Sequence, residues 1–225
     1  MAKFHSLARI GQAIWFDYIR RSLITSGEMK SLIDQGIRGV TSNPTIFEKA
    51  IAGSADYDDD LAALVRTGSS IEGIYEHLAL TDIARTADLF RKVYDETGGL
   101  DGYVSIEVSP VLAYDTKKTI EEARRLFSTL DRPNIMIKVP ATQEGVPAVE
   151  TLISEGINVN VTLLFSVKRY EEVALAYLSG LEKLLASGEN IGKVSSVASF
   201  FVSRVDTSLD PELEKRSLND LTGKI

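Results

Sequence analysis

Asn134-Ile-Met-Ile-Lys138-Val-Pro140 decides the fold. Ile135, Ile137 and Val139 fall on one side of an extended chain, and Met136 and Lys138 fall on the other. The segment is short, β-branched and closed by a proline, so it reads as a strand buried on both faces. Lys138 stands near its C-terminal end. A charged lysine is costly to bury, and burial favours the neutral amine. Such an amine, facing a pocket, can attack a carbonyl and form a Schiff base. Taken by itself, the segment favours a plainer reading: a lysine whose stem follows the strand while its amine reaches solvent.

Strands of the same kind recur on either side. Gln12–Asp17, Ile37–Asn43, Tyr103–Val108, Ile157–Leu163 and Lys193–Val202 are short and apolar or alternating. In Tyr103–Val108, Tyr103, Ser105 and Glu107 share one face. In Ile157–Leu163, Asn158, Asn160 and Thr162 do. Helices are expected over Tyr18–Ile24, from a Ser26 N-cap to Gly36, over Thr116–Leu130, over Gly145–Ser154, from Ser166 to near Gly188, and from Asp206 onward. Thr45–Gly102 reads as helices only, with Ala55–Val65 acidic at its start and two apolar stripes at Ile71–Leu78 and Ile83–Tyr94. Connections in α/β units are otherwise short. Six strand–helix repeats imply a parallel sheet, and same-handed connections let it curl towards a barrel. Neither a repeat nor a linker divides residues 1–225, so one domain is expected.

The balance of 44% hydrophobic and 25% charged residues is that of an ordinary globular protein. A net charge of −7 argues against nucleic acid or an anionic membrane as the main partner. The absence of cysteine excludes disulfides, thiolate metal sites and a cysteine nucleophile. No stretch is long enough to span a bilayer, and Met1–Gly11 has no cleavable apolar run, so a soluble cytoplasmic protein is expected.

Every proposed strand carries a polar residue at or near its C-terminal end: Asp17, Asn43, Glu107, Lys138, Asn160 with Thr162, and Ser199. In a (β/α) barrel these ends meet at one mouth, where active sites form. One such residue could be structural, but all six at the same end point to a site. Other motifs carry less. Gly188–Lys193 is one residue short of a phosphate-binding loop and is followed by Val194. Asp56 with Asp58, Asp59 and Asp60 lacks calcium-loop spacing and reads as a solvated helix start. His5 and His77 are taken as surface or packing residues. No metal site and no nucleotide-binding glycine fingerprint is expected.

Together the segments resemble the transaldolase family, class I Schiff-base enzymes of the pentose phosphate pathway. The resemblance rests on Thr41-Ser-Asn43-Pro44-Thr45, Ser105-Ile-Glu107-Val108, Ile135-Met-Ile-Lys138, Asn158 through Ser166 and Ser199-Phe-Phe-Val-Ser-Arg204, in family order over residues 12 to 206. The Trp15–Leu23 opening resembles the longer, bacterial branch. The resemblance implies that Lys138 forms the Schiff base and that Glu107 is the acid/base group, acting through a water held with Thr162. It implies that Asp17 moves the proton of the hydroxyl beside the cleaved bond. Asn43, Asn160 and Ser199 would bind the dihydroxyacetone unit, and Arg204 the sugar phosphate. No cofactor is implied, because the iminium is the electron sink. A related aldolase that cleaves fructose 6-phosphate carries glutamine at Glu107 and tyrosine at Phe201, so these two residues favour transfer from sedoheptulose 7-phosphate to glyceraldehyde 3-phosphate.

The family barrel has eight strands, and such folds typically take about 250 residues. Six are counted here, so the expected fold is an incomplete TIM-type (β/α) barrel with a helical insertion after its second strand. A later serine–arginine pair of the family's phosphate site is also absent from the sequence. An unclosed barrel leaves open strand edges. The expectation is a truncated product or one piece of a split enzyme, poorly stable and weakly active alone. A second copy or a complementing C-terminal fragment is the expected protein partner. Two other readings stand beside transfer: a fructose 6-phosphate or deoxyribose-phosphate type aldolase, and a non-catalytic fragment that binds sugar phosphate or needs a complementing chain.

Overall fold

The structure, a computed structural model, describes residues 3–224. Helix α1 (Lys3–Ala8) precedes β1 (Ile14–Phe16), and α2 (Arg21–Thr25) and α3 (Glu28–Gln35) lead into β2 (Ile37–Val40). Helices α4 (Pro44–Ala52), α5 (Asp58–Arg66) and α6 (Ile71–Glu96) separate β2 from β3 (Tyr103–Glu107). Strict alternation follows: α7 (Thr116–Leu130), β4 (Ile135–Pro140), α8 (Gly145–Ser154), β5 (Val159–Leu164), α9 (Val167–Ala186), β6 (Ser196–Phe200) and α10 (Ser203–Lys215). Among the described residues no helix is long and apolar enough to cross a membrane.

All six strands are parallel and lie in the order β1-β2-β3-β4-β5-β6. Period-two alternation divides each central strand between two faces. Val104, Ile106, Ile135, Ile137, Val139, Val159 and Val161 enter one apolar core with Ile83, Ala87 and Phe90 of α6, Ala123 and Leu126 of α7, and Val149 and Leu152 of α8. The opposite face carries Tyr103, Ser105, Glu107, Met136, Lys138, Asn160 and Thr162.

That second face is concave. In a flat sheet, next-but-one strands lie about 10 Å apart, too far for short side chains to meet. Here Asn160 Nδ2 of β5 donates to Ser105 Oγ of β3 at 3.0 Å, across β4. The Tyr103 hydroxyl of β3 reaches Ser195 Oγ, just before β6, at 2.8 Å. Such bonds require the sheet to curl, and the six strands form a half-barrel of the TIM type.

Several boundaries differ from the sequence expectation. The second strand stops at Val40 rather than Asn43, because Asn43 turns to cap α4: its Oδ1 accepts from Ile46 N at 3.0 Å, and Pro44 takes the first helical position. The cap of α3 is Gly27 at φ 84°, not Ser26, which ends α2. The stripes at Ile71 and Ile83 belong to one 26-residue helix. The last helix starts at Ser203, before Asp206. Helix α1 has no counterpart in the sequence reading.

The acidic group is not simply a solvated helix start. Asp58 and Asp59 are exposed, but Arg20 Nε donates to Asp56 at 2.7 Å, and Arg21 pairs with both Asp60 and Asp82. Asp82 is fully buried, accepting from Arg21 Nε and from the Tyr57 hydroxyl, both at 2.9 Å. The Arg21 guanidinium lies 4.6 Å from the Tyr57 ring centre. This cluster fastens the helical insertion to the segment that follows β1.

Removing one partner of such a pair leaves a buried charge uncompensated. Asp82→Ala is therefore expected to lower the unfolding free energy by about 3–5 kcal/mol, read by urea denaturation. Loss of the exposed i,i+4 pair Arg91–Asp95 through Arg91→Ala should leave the urea midpoint unchanged.

Candidate functional site

Register builds the site. Glu107 pairs with Lys138 across β3 and β4, and Lys138 pairs with Asn160 across β4 and β5. Register partners in parallel strands point to the same face, so three polar side chains form one row across the concave side. A slip of one residue would send Lys138 into the apolar layer.

Lys138 is 6% exposed. Its Nζ stands 3.9 Å from Glu107 Oε2 and donates to the Ser42 carbonyl at 3.2 Å. The lysine is buried rather than snorkelling to solvent. Ser42 is itself fully buried, and its hydroxyl donates to Ser105 O at 2.8 Å. Asn160 is held at both ends of its amide: Nδ2 donates to Ser105 Oγ, and Oδ1 accepts from the Ser199 hydroxyl at 2.9 Å. Thr162, two residues on from Asn160 along the same face, is also buried.

Burial pushes the Glu107 carboxyl above its ordinary value, and the charge of Lys138 pulls it back only in part. Among the described residues it makes no hydrogen bond, so it can hold or release a proton without breaking a fixed contact. Glu107 also borders a cavity of about 420 Å³ shared with Asn43, Phe47, Tyr75 and Leu126, which Lys138 does not line. The Tyr75 hydroxyl is pushed up to about 12, first by burial and then by the charges of Glu107 and Glu48.

The remaining expected residues lie around this centre. Asp17 directly follows β1, is exposed, and makes no side-chain hydrogen bond or ion pair among the described residues. Asn43 borders the cavity, with one amide end committed to the helix cap. Phe201 stacks on Phe165 at 5.1 Å, and the exposed Arg204 lies over it at 4.6 Å. Arg204 has no acidic partner among the described residues and lines a hollow with Ser203, Thr207 and Ser208. Leu163, beside this group, has φ 61° where the β5–β6 register shifts. That is a strained conformation for a branched side chain, of the sort found near functional sites.

The sequence reading did not single out Ser42, Ser105 or Tyr75. Ser105 was detectable as a hydroxyl on the inward side of a buried strand. Ser42 lay inside a quoted motif, but its contribution through a backbone carbonyl has no sequence signal. Tyr75 was absorbed into an apolar helical stripe. Among the described residues no group of three or more His, Asp or Glu side chains is placed to hold a metal.

A parallel half-barrel with a buried lysine and a half-buried carboxylate on its concave face defines an α/β protein of the TIM-barrel type. The chain belongs to the Transaldolase/Fructose-6-phosphate aldolase family, whose sequence model matches residues 14–225. It is 54% identical over 211 residues to the "Transaldolase" of Trichodesmium erythraeum, covering 93% of this chain and 56% of that protein. It is 55% identical over 203 residues to "Transaldolase 2" of Nostoc punctiforme, covering 90% and 53%. With the "Transaldolase" of Saccharopolyspora erythraea it shares 48% over 214 residues, covering 95% and 58%. The chain thus spans about half the length of the curated relatives it matches.

The raised Glu107 carboxyl has a measurable consequence. Above the ordinary value of 4.5 the unfolded chain releases this proton while the folded chain keeps it. The folded state then binds more protons, so this stability is present below 4.5 and lost as pH rises through the folded value. Between pH 4 and 8, the urea midpoint of the wild type should fall relative to that of Glu107→Gln as pH increases.

Proposed function

We propose that this chain carries the Schiff-base site of a transaldolase, which moves a dihydroxyacetone unit from sedoheptulose 7-phosphate to glyceraldehyde 3-phosphate. The observation that carries the reading is the Lys138–Glu107 separation of 3.9 Å on a buried concave face. Lys138 attacks the ketose carbonyl. Glu107, with its carboxyl raised by burial, gives a proton to the departing hydroxyl, and water leaves. The iminium withdraws electrons from the neighbouring carbon–carbon bond. Asp17 takes the proton from the hydroxyl on the far side of that bond, and the four-carbon aldose phosphate departs. The enamine left on Lys138 then attacks the acceptor aldehyde, and Asp17 returns its proton.

Thr162 and Glu107 hold the water of imine formation and hydrolysis. Asn160 and Ser199, already bonded to each other, present their remaining hydrogen-bonding positions to the three-carbon unit. Asn43 contributes through its amide nitrogen, since its oxygen caps α4. Arg204, with the adjacent hydroxyls, suits a phosphate, which a guanidinium fork can grip in two places. Glu107 and Phe201 favour transfer over simple cleavage.

Treating the purified chain with dihydroxyacetone and borohydride should attach a three-carbon group to Lys138, and Lys138→Ala should abolish this labelling, as read by peptide mass spectrometry. Sedoheptulose 7-phosphate with glyceraldehyde 3-phosphate should give fructose 6-phosphate. Release of free dihydroxyacetone from fructose 6-phosphate, with no acceptor product, would favour an aldolase instead.

A further inference from the structure

We propose that the main-chain carbonyl of Ser42 accepts the hydrogen bond of the protonated imine nitrogen formed on Lys138, and that the Ser42 side chain is the strap that aims this carbonyl. The inference rests on the Schiff-base reading above and adds a partner for its charged intermediate.

A free lysine amine carries two hydrogens and a lone pair. After it attacks a ketone and water is lost, the protonated imine keeps a single N–H. That hydrogen needs an acceptor in a buried site. Ser42 O stands 3.2 Å from Lys138 Nζ, within hydrogen-bond reach. The nearest carboxylate oxygen, on Glu107, is at 3.9 Å, outside that range. The Asn160 amide is engaged at both ends, with Ser105 and with Ser199. The difference in acceptor matters chemically. A carboxylate in direct contact could remove the imine proton and abolish the electron sink. A backbone carbonyl is too weak a base to do so, and stabilises the charge while leaving the proton in place.

The carbonyl is held from three sides. Upstream, Thr41 N donates to Phe16 O of β1 at 3.0 Å. Downstream, Asn43 caps α4. Between them the Ser42 hydroxyl bonds Ser105 O of β3 at 2.8 Å. This last contact lies beyond Val40–Val104, the final β2–β3 backbone pair, so a side chain takes over where the ladder stops. Such fixed dipoles act on a charge without reorganising as it forms. Of the titratable groups facing this centre, Glu107 comes from β3, and its charge acts with that of Glu48 of α4 on the Tyr75 hydroxyl of α6. From β5 come Asn160 and Thr162, which do not titrate.

The test is reductive trapping of dihydroxyacetone on the purified chain with cyanoborohydride, which reduces the protonated imine, across a pH series. In Ser42→Ala the carbonyl loses its strap. Its alkaline limit for trapping should move about one pH unit towards acid, with trapping beyond the wild-type limit about tenfold slower, as expected for losing a hydrogen bond to a charged group. Ser42→Thr, which keeps the hydroxyl, should restore the limit. A loss of folded protein would lower the yield at every pH and leave the limit in place. An unchanged limit in folded Ser42→Ala overturns the proposal. A wild type that traps nothing instead overturns the Schiff-base reading, and the proposal with it. If Ser42→Ala does not fold, the wild type labelled with carbonyl-¹³C serine decides by difference infrared spectroscopy. One serine carbonyl band should move to lower frequency on adding dihydroxyacetone, and no movement overturns the proposal.

Discussion

The inward face of the sheet is polar, and its groups must satisfy one another. Ser105, Lys138 and Asn160 occupy three successive strands and are almost completely buried. Buried donors and acceptors without partners are destabilising by about 1–3 kcal/mol each. In a flat sheet Asn160 could not reach Ser105. Curling brings them to 3.0 Å, so the requirement to pair the interior and the curvature of the sheet are one constraint. The same bonds fix the Asn160 amide, seat Ser199 and pin Ser105, whose carbonyl receives the Ser42 hydroxyl.

The helical insertion follows the same rule elsewhere in the molecule, except at Arg21 Nη2, which is buried without a hydrogen-bond partner. Arg21 and Asp82 are buried together, and Tyr57 completes the carboxylate's bonds. Replacing such a pair with apolar groups can be neutral for stability, whereas removing one member is costly. The pair ties α2 to α6. It joins the long helix of the insertion to the chain just past β1, four residues after Asp17. The apolar face of α6, through Ile83, Ala87 and Phe90, packs behind β3, and Tyr75 of the same helix meets the charge of Glu107.

Much of the architecture was legible because burial leaves a period in the sequence. Ile135, Ile137 and Val139 against Met136 and Lys138 gave β4 and its two faces, and the Tyr103, Ser105, Glu107 alternation gave β3. Proline and asparagine were harder to place. Thr41-Ser-Asn43-Pro44 looks extended, yet Pro44 suits the first turn of a helix and Asn43 its cap, so the strand ends three residues early. The 26-residue α6 shows in the sequence as separate stripes because an apolar pattern says where a face is buried and not where a helix ends. The aspartates near residue 58 looked solvated because their arginine partners lie some 35 to 40 residues earlier in the chain.

By itself the sequence determined the strand–helix alternation, the inward face of each central strand, and the residue types gathered at the strand ends, because these depend on local periodicity. Only the tertiary structure decided the row Glu107–Lys138–Asn160, because strand register is set by pairing between segments far apart in the chain. It alone decided that Lys138 is enclosed and faces the Ser42 carbonyl, a backbone group no side-chain pattern can announce. It alone decided the rise of the Glu107 carboxyl, since desolvation comes from the neighbours that fold around a residue and not from the residue itself.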